Sequence, residues 1–222
     1  MDFIPKHIDI NVLKARVKTH INLSKSEVLY ALARAGEYKD NETGARVHRM
    51  SRYAKIIAGK LIQNKEWLES LLVAAPMHDI GKIGIPDAVM LKEGLLDANE
   101  WKIMKTHPQV GDEIIGNNNY SEVMLLAKEI ASGHHEKWDG SGYPLGLIGE
   151  DIPFSARVVA LADVFDALTS RRPYKEAWSV DKAVSCIDES FGQHFDPSLA
   201  EPFHQALPEM LDVKEAFKDA VD

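Results

Sequence analysis

Hydrophobic residues at helical spacing occur through almost the whole chain, and this pattern restricts the fold more than any other feature. In residues 28–35, for example, apolar positions recur at intervals of three and four. No good run of alternating strand character is present. Helix start signals agree, because Asp97 with Glu100 and Thr106 with Gln109 have the spacing of a capping box. The sequence therefore predicts an all-α fold.

Composition excludes several classes of protein. The 222 residues, of which 45% are hydrophobic and 27% charged, suit one globular domain with a sizeable core. No apolar run approaches the ~20 residues that cross a bilayer, and the first ten residues lack the pattern of a secretory signal. We therefore expect a cytoplasmic protein that does not contact a membrane. The net charge of -8 argues against a DNA-binding surface.

Glycine and proline cluster in one stretch of the sequence. The positions are Gly133, Gly140, Gly142, Pro144, Gly146, Gly149 and Pro153. This composition predicts a long structured loop. Long loops in compact domains are uncommon and often functional, so the stretch is a candidate part of a site.

Histidine and carboxylate side chains are the candidate metal ligands, because the chain has a single cysteine. His78–Asp79 follows an apolar run, and His134–His135 begins the glycine-rich loop. Adjacent imidazole and carboxylate ligands suit a pair of metal ions, because a carboxylate can bridge two ions through its two oxygens. A His–Asp pair can also be a surface or N-cap feature, but a pair that emerges from buried chain needs a partner.

His107 and two aspartates extend the set of candidate ligands. His107 lies in the first turn of the helix that Thr106 is expected to cap, where the helix dipole favours the neutral imidazole that a metal requires. Asp163 and Asp166 lie three residues apart in a segment that is apolar almost all round. Their charges require compensation by a metal, a lysine or an arginine. The candidate arginines are Arg157, Arg171 and Arg172.

A series of motifs occurs in a fixed order along the chain. The motifs are His78-Asp79-Ile80-Gly81-Lys82-Ile83-Gly84-Ile85-Pro86, His107, His134-His135-Glu136-Lys137-Trp138-Asp139-Gly140-Ser141-Gly142-Tyr143-Pro144, Asp163-Val164-Phe165-Asp166-Ala167-Leu168 and Arg171-Arg172-Pro173-Tyr174. They resemble the HD-GYP family, a bacterial branch of the HD phosphohydrolases whose members hydrolyse the messenger cyclic di-GMP. The resemblance runs from about Asp40 to Phe203. It implies an HD-type helical bundle that encloses two or three divalent metal ions, often iron or manganese. The implied products are pGpG and, in some members, GMP.

The resemblance also assigns roles to individual residues. The matching metal ligands are Glu42, His78, Asp79, His107, His134, His135 and Asp163. Glu42 matches the carboxylate associated with a third ion, and Asp79 matches the bridging carboxylate. Lys82 matches the lysine that faces the scissile phosphate, and Asp79, Lys82 and Asp166 are the candidate catalytic residues. The matching substrate contacts are Lys82, Tyr143, Arg172 and Lys175.

Tyr143 belongs to the Gly142-Tyr143-Pro144 signature. In the family this signature lines the site entrance and is linked to docking of diguanylate cyclase domains, so the resemblance implies a cyclase as a second partner besides cyclic di-GMP. An aromatic residue that only anchors the loop is an equally good interpretation of Tyr143.

Arg46 departs from the family pattern, which reads Glu-Thr-Gly-x-His-x-x-Arg where this chain has residues 42–49. Arg46 stands where a histidine ligand is expected, and a guanidinium has no lone pair for a metal. We expect it to pair with Glu42 or to reach Asp79. His48 lies about 200° further around a helix and should point elsewhere, as a surface residue.

The N-terminal residues have a separate resemblance. Residues 9–20 resemble the last helix of a response-regulator receiver domain, so residues 1–26 are expected to form a helical segment or linker before an HD-GYP domain at residues 27–222. A simple amphipathic linker or dimerisation helix, which would make the chain a homodimer, fits the same pattern.

Two functions of different class remain open. The first is a metal-dependent phosphodiesterase that acts on cyclic di-GMP. The second is a catalytically impaired HD-GYP module that serves as a cyclic di-GMP receptor or a cyclase-interaction domain. The enzyme is favoured by six of the matching ligands together with Lys82 and Arg172. These six ligands are His78, Asp79, His107, His134, His135 and Asp163. Arg46 is the residue that discriminates between the two functions.

Overall fold

The computed structural model describes residues 27–33, 36, 44–116, 121–171 and 176–218, and these residues are mostly helical. The α-helices are α1 (Gly44–Gly59), α2 (Lys65–Ala74), α3 (Asp87–Met90), α4 (Ala98–Met104), α5 (His107–Ile115), α6 (Glu122–Gly133), α7 (Phe154–Thr169), α8 (Val180–Asp188) and α9 (Ala200–Ala216). The 3-10 helices are Ala75–Gly84, Gly149–Asp151 and Pro197–Leu199. An isolated bridge joins Phe191 and Phe195, and no strand occurs within the described ranges. The all-α prediction is confirmed.

The core lies where α7 packs against α1 and α6, and α9 also packs against α1. Phe165 on α7 meets Tyr53 on α1 edge to face at a ring-centroid distance of 5.5 Å, and meets Phe203 on α9 at 5.7 Å. All three side chains are fully buried. Burying rings of this size contributes roughly 2–3 kcal/mol each. The apolar α7 therefore fixes the central axis of the bundle, as its composition predicts.

The 3-10 helix Ala75–Gly84 carries His78 and Asp79 through the middle of the molecule, and its residues 75–81 are buried. It packs against α5 and α6. The contact with α5 is very close, because a Cβ built on Gly81 would lie 1.9 Å from the His107 carbonyl oxygen and 2.5 Å from the Gly111 amide nitrogen. Glycine at position 81 therefore allows the His78–Asp79 backbone to approach His107.

Two predicted helix starts have different outcomes. The Asp97 carboxylate accepts from the Glu100 amide at 2.9 Å and the Glu100 carboxylate accepts from the Asp97 amide at 2.7 Å, which is the predicted capping box. α5 begins after Thr106 as predicted, but the Thr106 side chain does not cap it. The Thr106 hydroxyl instead donates to the Ile103 carbonyl at 2.7 Å, and the backbone at Thr106 is already helical. Pro108, in the first turn of α5, removes one of the amides that a cap would satisfy.

The glycine-rich loop between α6 and α7 is structured, as predicted. The buried Glu136 carboxylate accepts from the Leu145 amide at 2.7 Å and from the Leu147 amide at 3.1 Å. The Trp138 amide donates to the His194 carbonyl at 3.1 Å, which ties the loop to the segment after α8. Among the described residues, no helix is long and apolar enough to span a membrane.

Gly81→Ala tests the close approach that places Asp79 beside His107. We expect a loss of at least ~3 kcal/mol in unfolding free energy, because the new methyl group meets rigid backbone atoms. Gly59→Ala is the matched control. The nearest atom to its Cβ lies 3.8 Å away, so stability should stay unchanged or rise by up to ~1 kcal/mol. Urea unfolding followed by circular dichroism measures both, and equal stability of the two variants would contradict the packing described here.

Candidate metal centre

Backbone carbonyl groups fix the orientation of three buried histidines. His78 Nδ1 lies 3.1 Å from the Ala75 carbonyl oxygen, His107 Nδ1 lies 2.8 Å from that of Met104, and His134 Nδ1 lies 3.0 Å from that of Ile130. A carbonyl oxygen only accepts, so each Nδ1 carries a proton and donates it. In the neutral imidazole each Nε2 then carries no proton and presents a lone pair. This tautomer can bind a metal.

These Nε2 lone pairs converge on the carboxylate of Asp79. His107 Nε2 lies 3.4 Å and His134 Nε2 lies 3.6 Å from Asp79 Oδ1, and His78 Nε2 lies 3.1 Å from Asp79 Oδ2. Asp79 Oδ1 and the Nε2 atoms of His107 and His134 are buried and make no hydrogen bond to the described part of the protein. Lone pairs that face one another in a buried site repel, so the arrangement requires a cation between them.

His135 completes the group. One ligand atom from each of Asp79, His107, His134 and His135 lies within 4.8 Å of the corresponding atoms of the other three. Ligand atoms at 2.0–2.2 Å from one ion can be at most about 4.4 Å apart, so only a small closure is needed. Three imidazoles and a carboxylate are donors suited to zinc, iron, manganese or nickel. The residues present therefore fit a divalent metal ion.

The protonation states also suit a metal. Burial lowers the pKa of His107 to about 4 and that of His135 to about 2, with the neighbouring His134 adding to both effects. Burial opposes ionisation of Asp79, but the charge of Lys82 holds its pKa well below the usual value. At neutral pH the two imidazoles are neutral and the carboxylate is ionised, so no proton has to leave before a metal binds.

Asp163 lies apart from this group and faces Arg46. Its Oδ1 accepts a hydrogen bond from Arg46 Nη2 at 2.6 Å and lies 3.8 Å from His78 Nε2. Burial raises the pKa of Asp163, but Arg46 and His78 overcome this and keep it below its usual range. Arg46 therefore pairs with Asp163 and not with Asp79, because α1 crosses α7 at the level of Asp163. The other expected partner, Glu42, lies outside the described residues.

Asp166 lies one turn further along α7 and is completely buried. Its Oδ1 accepts from Arg49 Nε at 2.7 Å, and its Oδ2 accepts from Arg49 Nη2 at 3.1 Å and from the Ser170 hydroxyl at 3.3 Å. These contacts favour a positioning role for Asp166 over the catalytic role expected from the sequence. The ion-pair alternative holds for this residue, but with Arg49 as the partner in place of Arg157, Arg171 or Arg172.

The candidate substrate contacts within the described residues lie beside the group. Lys82 Nζ lies 2.9 Å from Asp79 Oδ2, and the Tyr143 ring stacks on His135 at a centroid distance of 4.7 Å. Burial, together with the charge of Asp79, raises the pKa of Tyr143 above its usual value, so its phenol stays protonated. Lys105, which the sequence analysis did not select, holds its ammonium group 5.1 Å from the centre of the Tyr143 ring.

Several predicted residues lie elsewhere. Glu42, Arg172, Lys175 and the receiver-like residues 9–20 fall outside the described residues. His48 is half-buried between the rings of Tyr30 and Phe217, at 5.0 and 5.8 Å, so it points away from the metal centre as predicted. It is not the surface residue that we expected.

The sequence analysis also missed two structural residues. Glu136 anchors the glycine-rich loop, and a glutamate inside a glycine-rich stretch was the available signal. Arg49 pairs with Asp166, and the matching spacing of Arg46 with Arg49 and of Asp163 with Asp166 could have indicated both ion pairs. Geometry of two crossing helices was needed to choose that pairing.

Taken together, a helical bundle and a buried group of imidazoles around an aspartate define the class of metal-dependent phosphohydrolases with a histidine–aspartate motif. Residues 26–199 match the HD domain family. The chain belongs to this family, and its motifs place it in the HD-GYP branch, which confirms the resemblance seen in the sequence.

Relatives of known name agree with this assignment. The chain is 49% identical over 177 residues to the cyclic di-GMP phosphodiesterase response regulator RpfG of Xanthomonas campestris pv. campestris, covering 79% of this chain and 46% of that protein. It is 41% identical over 215 residues to a cyclic di-GMP phosphodiesterase of Vibrio cholerae, covering 91% and 44%. The chain thus spans about half the length of the curated relatives it matches.

A solved structure shows the same fold. The crystal structure of a cyclic GMP-AMP-specific phosphodiesterase of V. cholerae superposes with a TM-score of 0.66 at 21% identity. The match covers 88% of this chain and 51% of that one.

Arg49→Met tests the buried ion pair with Asp166. Removing the guanidinium leaves an uncompensated buried carboxylate, so we expect a loss of about 3–5 kcal/mol in unfolding free energy. Lys55→Met on the same helix removes an exposed pair with Glu69 and should cost no more than ~1 kcal/mol. Chemical denaturation compares the two, and similar losses would show that Asp166 is not held by Arg49.

Asp79→Ala tests whether Asp79 is the common ligand. Loss of a direct ligand should lower metal affinity by more than ~100-fold, since loss of an outer-shell partner alone costs 10–100-fold. The metal content of protein purified without oxygen measures this, with the exposed Asp188→Ala as control. Stoichiometric metal retained in Asp79→Ala would remove Asp79 from the ligand set.

Proposed function

We propose that the chain is a metal-dependent phosphodiesterase that hydrolyses cyclic di-GMP to pGpG. The convergence of the buried His107 and His134 Nε2 atoms on Asp79 Oδ1 carries this proposal, because that arrangement has a purpose only around a cation. The names of the relatives supply the substrate class. Further cleavage to GMP belongs to the same proposal as a second, optional step.

The metal would be held by Asp79, His107, His134 and His135, and we propose iron or manganese in this role. When bound, such an ion supplies Lewis-acid stabilisation of the phosphate and lowers the pKa of a water molecule. A second ion would need a release of Asp163 from Arg46, and a third ion would need Glu42, which lies outside the described residues.

The chain's own residues orient and stabilise the reacting phosphate. Hydrolysis adds water across one P–O3′ bond, so that the phosphorus gains an oxygen and the leaving ribose oxygen gains a proton. Lys82, beside Asp79 and 12% exposed at its side chain, is placed to offset the negative charge that develops on the phosphoryl oxygens. Tyr143 stacks on His135 beside the proposed metal site, and we keep it as a candidate substrate contact.

Substrate contacts at Arg172 and Lys175 remain part of the proposal. These two side chains supply local positive charge for an anionic substrate in a protein whose net charge is -8. Docking of a diguanylate cyclase domain at Gly142-Tyr143-Pro144 and formation of a homodimer are further proposals. A cytoplasmic location fits an enzyme that acts on an intracellular messenger.

Incubation of the full chain with cyclic di-GMP and Mn²⁺ or Fe²⁺, without oxygen, tests the activity. Chromatography should show pGpG, and Asp79→Ala should reduce the rate by at least ~100-fold, because both metal and charge are lost. Asp188→Ala, on the exposed face of α8, should keep the wild-type rate. 3′3′-cyclic GMP-AMP offered in parallel tests substrate choice. Tight binding of cyclic di-GMP without any hydrolysis would contradict the proposal and favour a receptor.

A further inference from the structure

We propose that the guanidinium of Arg46 is a built-in cation that replaces a second metal ion, so that the chain binds a single divalent ion. This inference rests on the proposed function, because it assumes that Asp79, His107, His134 and His135 hold a metal. The names of the relatives give no number of metal ions.

Two matched ion pairs join α1 to α7. Arg46 and Arg49 lie three residues apart on α1, and Asp163 and Asp166 lie three residues apart on α7. The Arg46 Nη2–Asp163 Oδ1 distance is 2.6 Å and the Arg49 Nε–Asp166 Oδ1 distance is 2.7 Å. Arg46 Nε also lies 4.0 Å from Asp166 Oδ2. The Arg46–Asp163 pair, which we call the inner pair, lies next to the buried Arg49–Asp166 pair. The same crossing of α1 and α7 holds both pairs in place.

Asp163 of the inner pair belongs to a second set of potential ligand atoms, which consists of Asp163 Oδ1, His78 Nε2 and Asp79 Oδ2. Asp163 Oδ1 lies 3.8 Å from His78 Nε2, and His78 Nε2 lies 3.1 Å from Asp79 Oδ2. These separations match those of ligand atoms that share one ion. One of the atoms, Asp163 Oδ1, already accepts a short charge-assisted bond from Arg46.

Fixed positive charges already compensate both carboxylate oxygens of this second set. Arg46 holds Asp163 Oδ1, and Lys82 Nζ lies 2.9 Å from Asp79 Oδ2. The Arg46 side chain is 9% exposed, so solvent and salt screen its charge weakly. A guanidinium stays protonated at any working pH and cannot ligate a metal. A divalent ion at this position would face strong repulsion.

The first set of ligand atoms, which includes Asp79 Oδ1 and the Nε2 atoms of His107 and His134, has different neighbours. Asp79 Oδ1 faces the Nε2 atoms of His107 and His134 and makes no ion pair with an arginine or lysine within the described residues. The two oxygens of Asp79 therefore have different partners. Oδ1 remains available for a metal, and Oδ2 lies between His78 and Lys82.

The number of ions per chain tests this inference directly. Full-length wild-type protein, equilibrated with Mn²⁺ without oxygen and freed of unbound ion, should contain one Mn²⁺ per chain by plasma mass spectrometry. Arg46→His should contain two, because the introduced imidazole removes the repelling charge and supplies a ligand. Electron paramagnetic resonance should show isolated Mn²⁺ in the wild type and exchange-coupled Mn²⁺ in Arg46→His.

Two variants act as controls. Arg52→Gln removes a guanidinium from the same helix, where the side chain contacts Phe217 and the His48 carbonyl, adds no imidazole next to His48, and should keep one ion. Arg46→Met removes the repelling charge without adding a ligand and should bind a second ion through Asp163, His78 and Asp79, but more weakly than Arg46→His. Circular dichroism confirms that each variant is folded. Zero or two ions in the wild type, or one ion in a folded Arg46→His, would overturn the inference.

The result is separable from that of the proposed function. One ion in a wild-type protein that does not hydrolyse cyclic di-GMP would overturn the function and leave the inference standing. Two ions in an active wild-type protein would overturn the inference and leave the function standing.

Discussion

The metal centre depends on a cation that offsets the repulsion between buried lone pairs around Asp79. Backbone carbonyls at Met104 and Ile130 hold His107 and His134 in the tautomer that directs Nε2 towards the Asp79 carboxylate. Without a cation this arrangement costs free energy, because desolvated acceptors face one another. The bundle supports it by assembling a 3-10 helix and two α-helices around one point, so metal binding and folding of this region are energetically linked.

Charge compensation divides the site into two halves. On one side the carboxylates of α7 are neutralised by arginines of α1, which join the two central helices without any added ion. On the other side Asp79 Oδ1 faces imidazoles and has no arginine or lysine partner among the described residues. A buried pair such as Arg49–Asp166 holds the helix register, whereas the uncompensated half provides the chemistry. The same fold thus contains a permanent cation beside a position for an exchangeable one.

The sequence predicted the all-helical fold, because the spacing of apolar residues is a local property that survives into the packed structure. It also predicted that His78 and Asp79 are buried, from the apolar residues before them. It could not predict the partner of Asp163 or the role of Glu136. Those contacts depend on how α1 crosses α7 and how the loop folds back, which involve residues more than a hundred positions apart or a path that glycines leave open. Thr106 failed as a cap because its backbone is already helical, which a spacing rule does not detect.

The most direct test is a crystal structure of the full chain grown with Mn²⁺, with anomalous scattering recorded at the manganese absorption edge. We expect an anomalous peak within about 2.0–2.3 Å of Asp79 Oδ1 and of the Nε2 atoms of His107 and His134. Arg46 should still hold Asp163 in that crystal. A well-ordered chain with bound Mn²⁺ located elsewhere and no peak at Asp79 would contradict it.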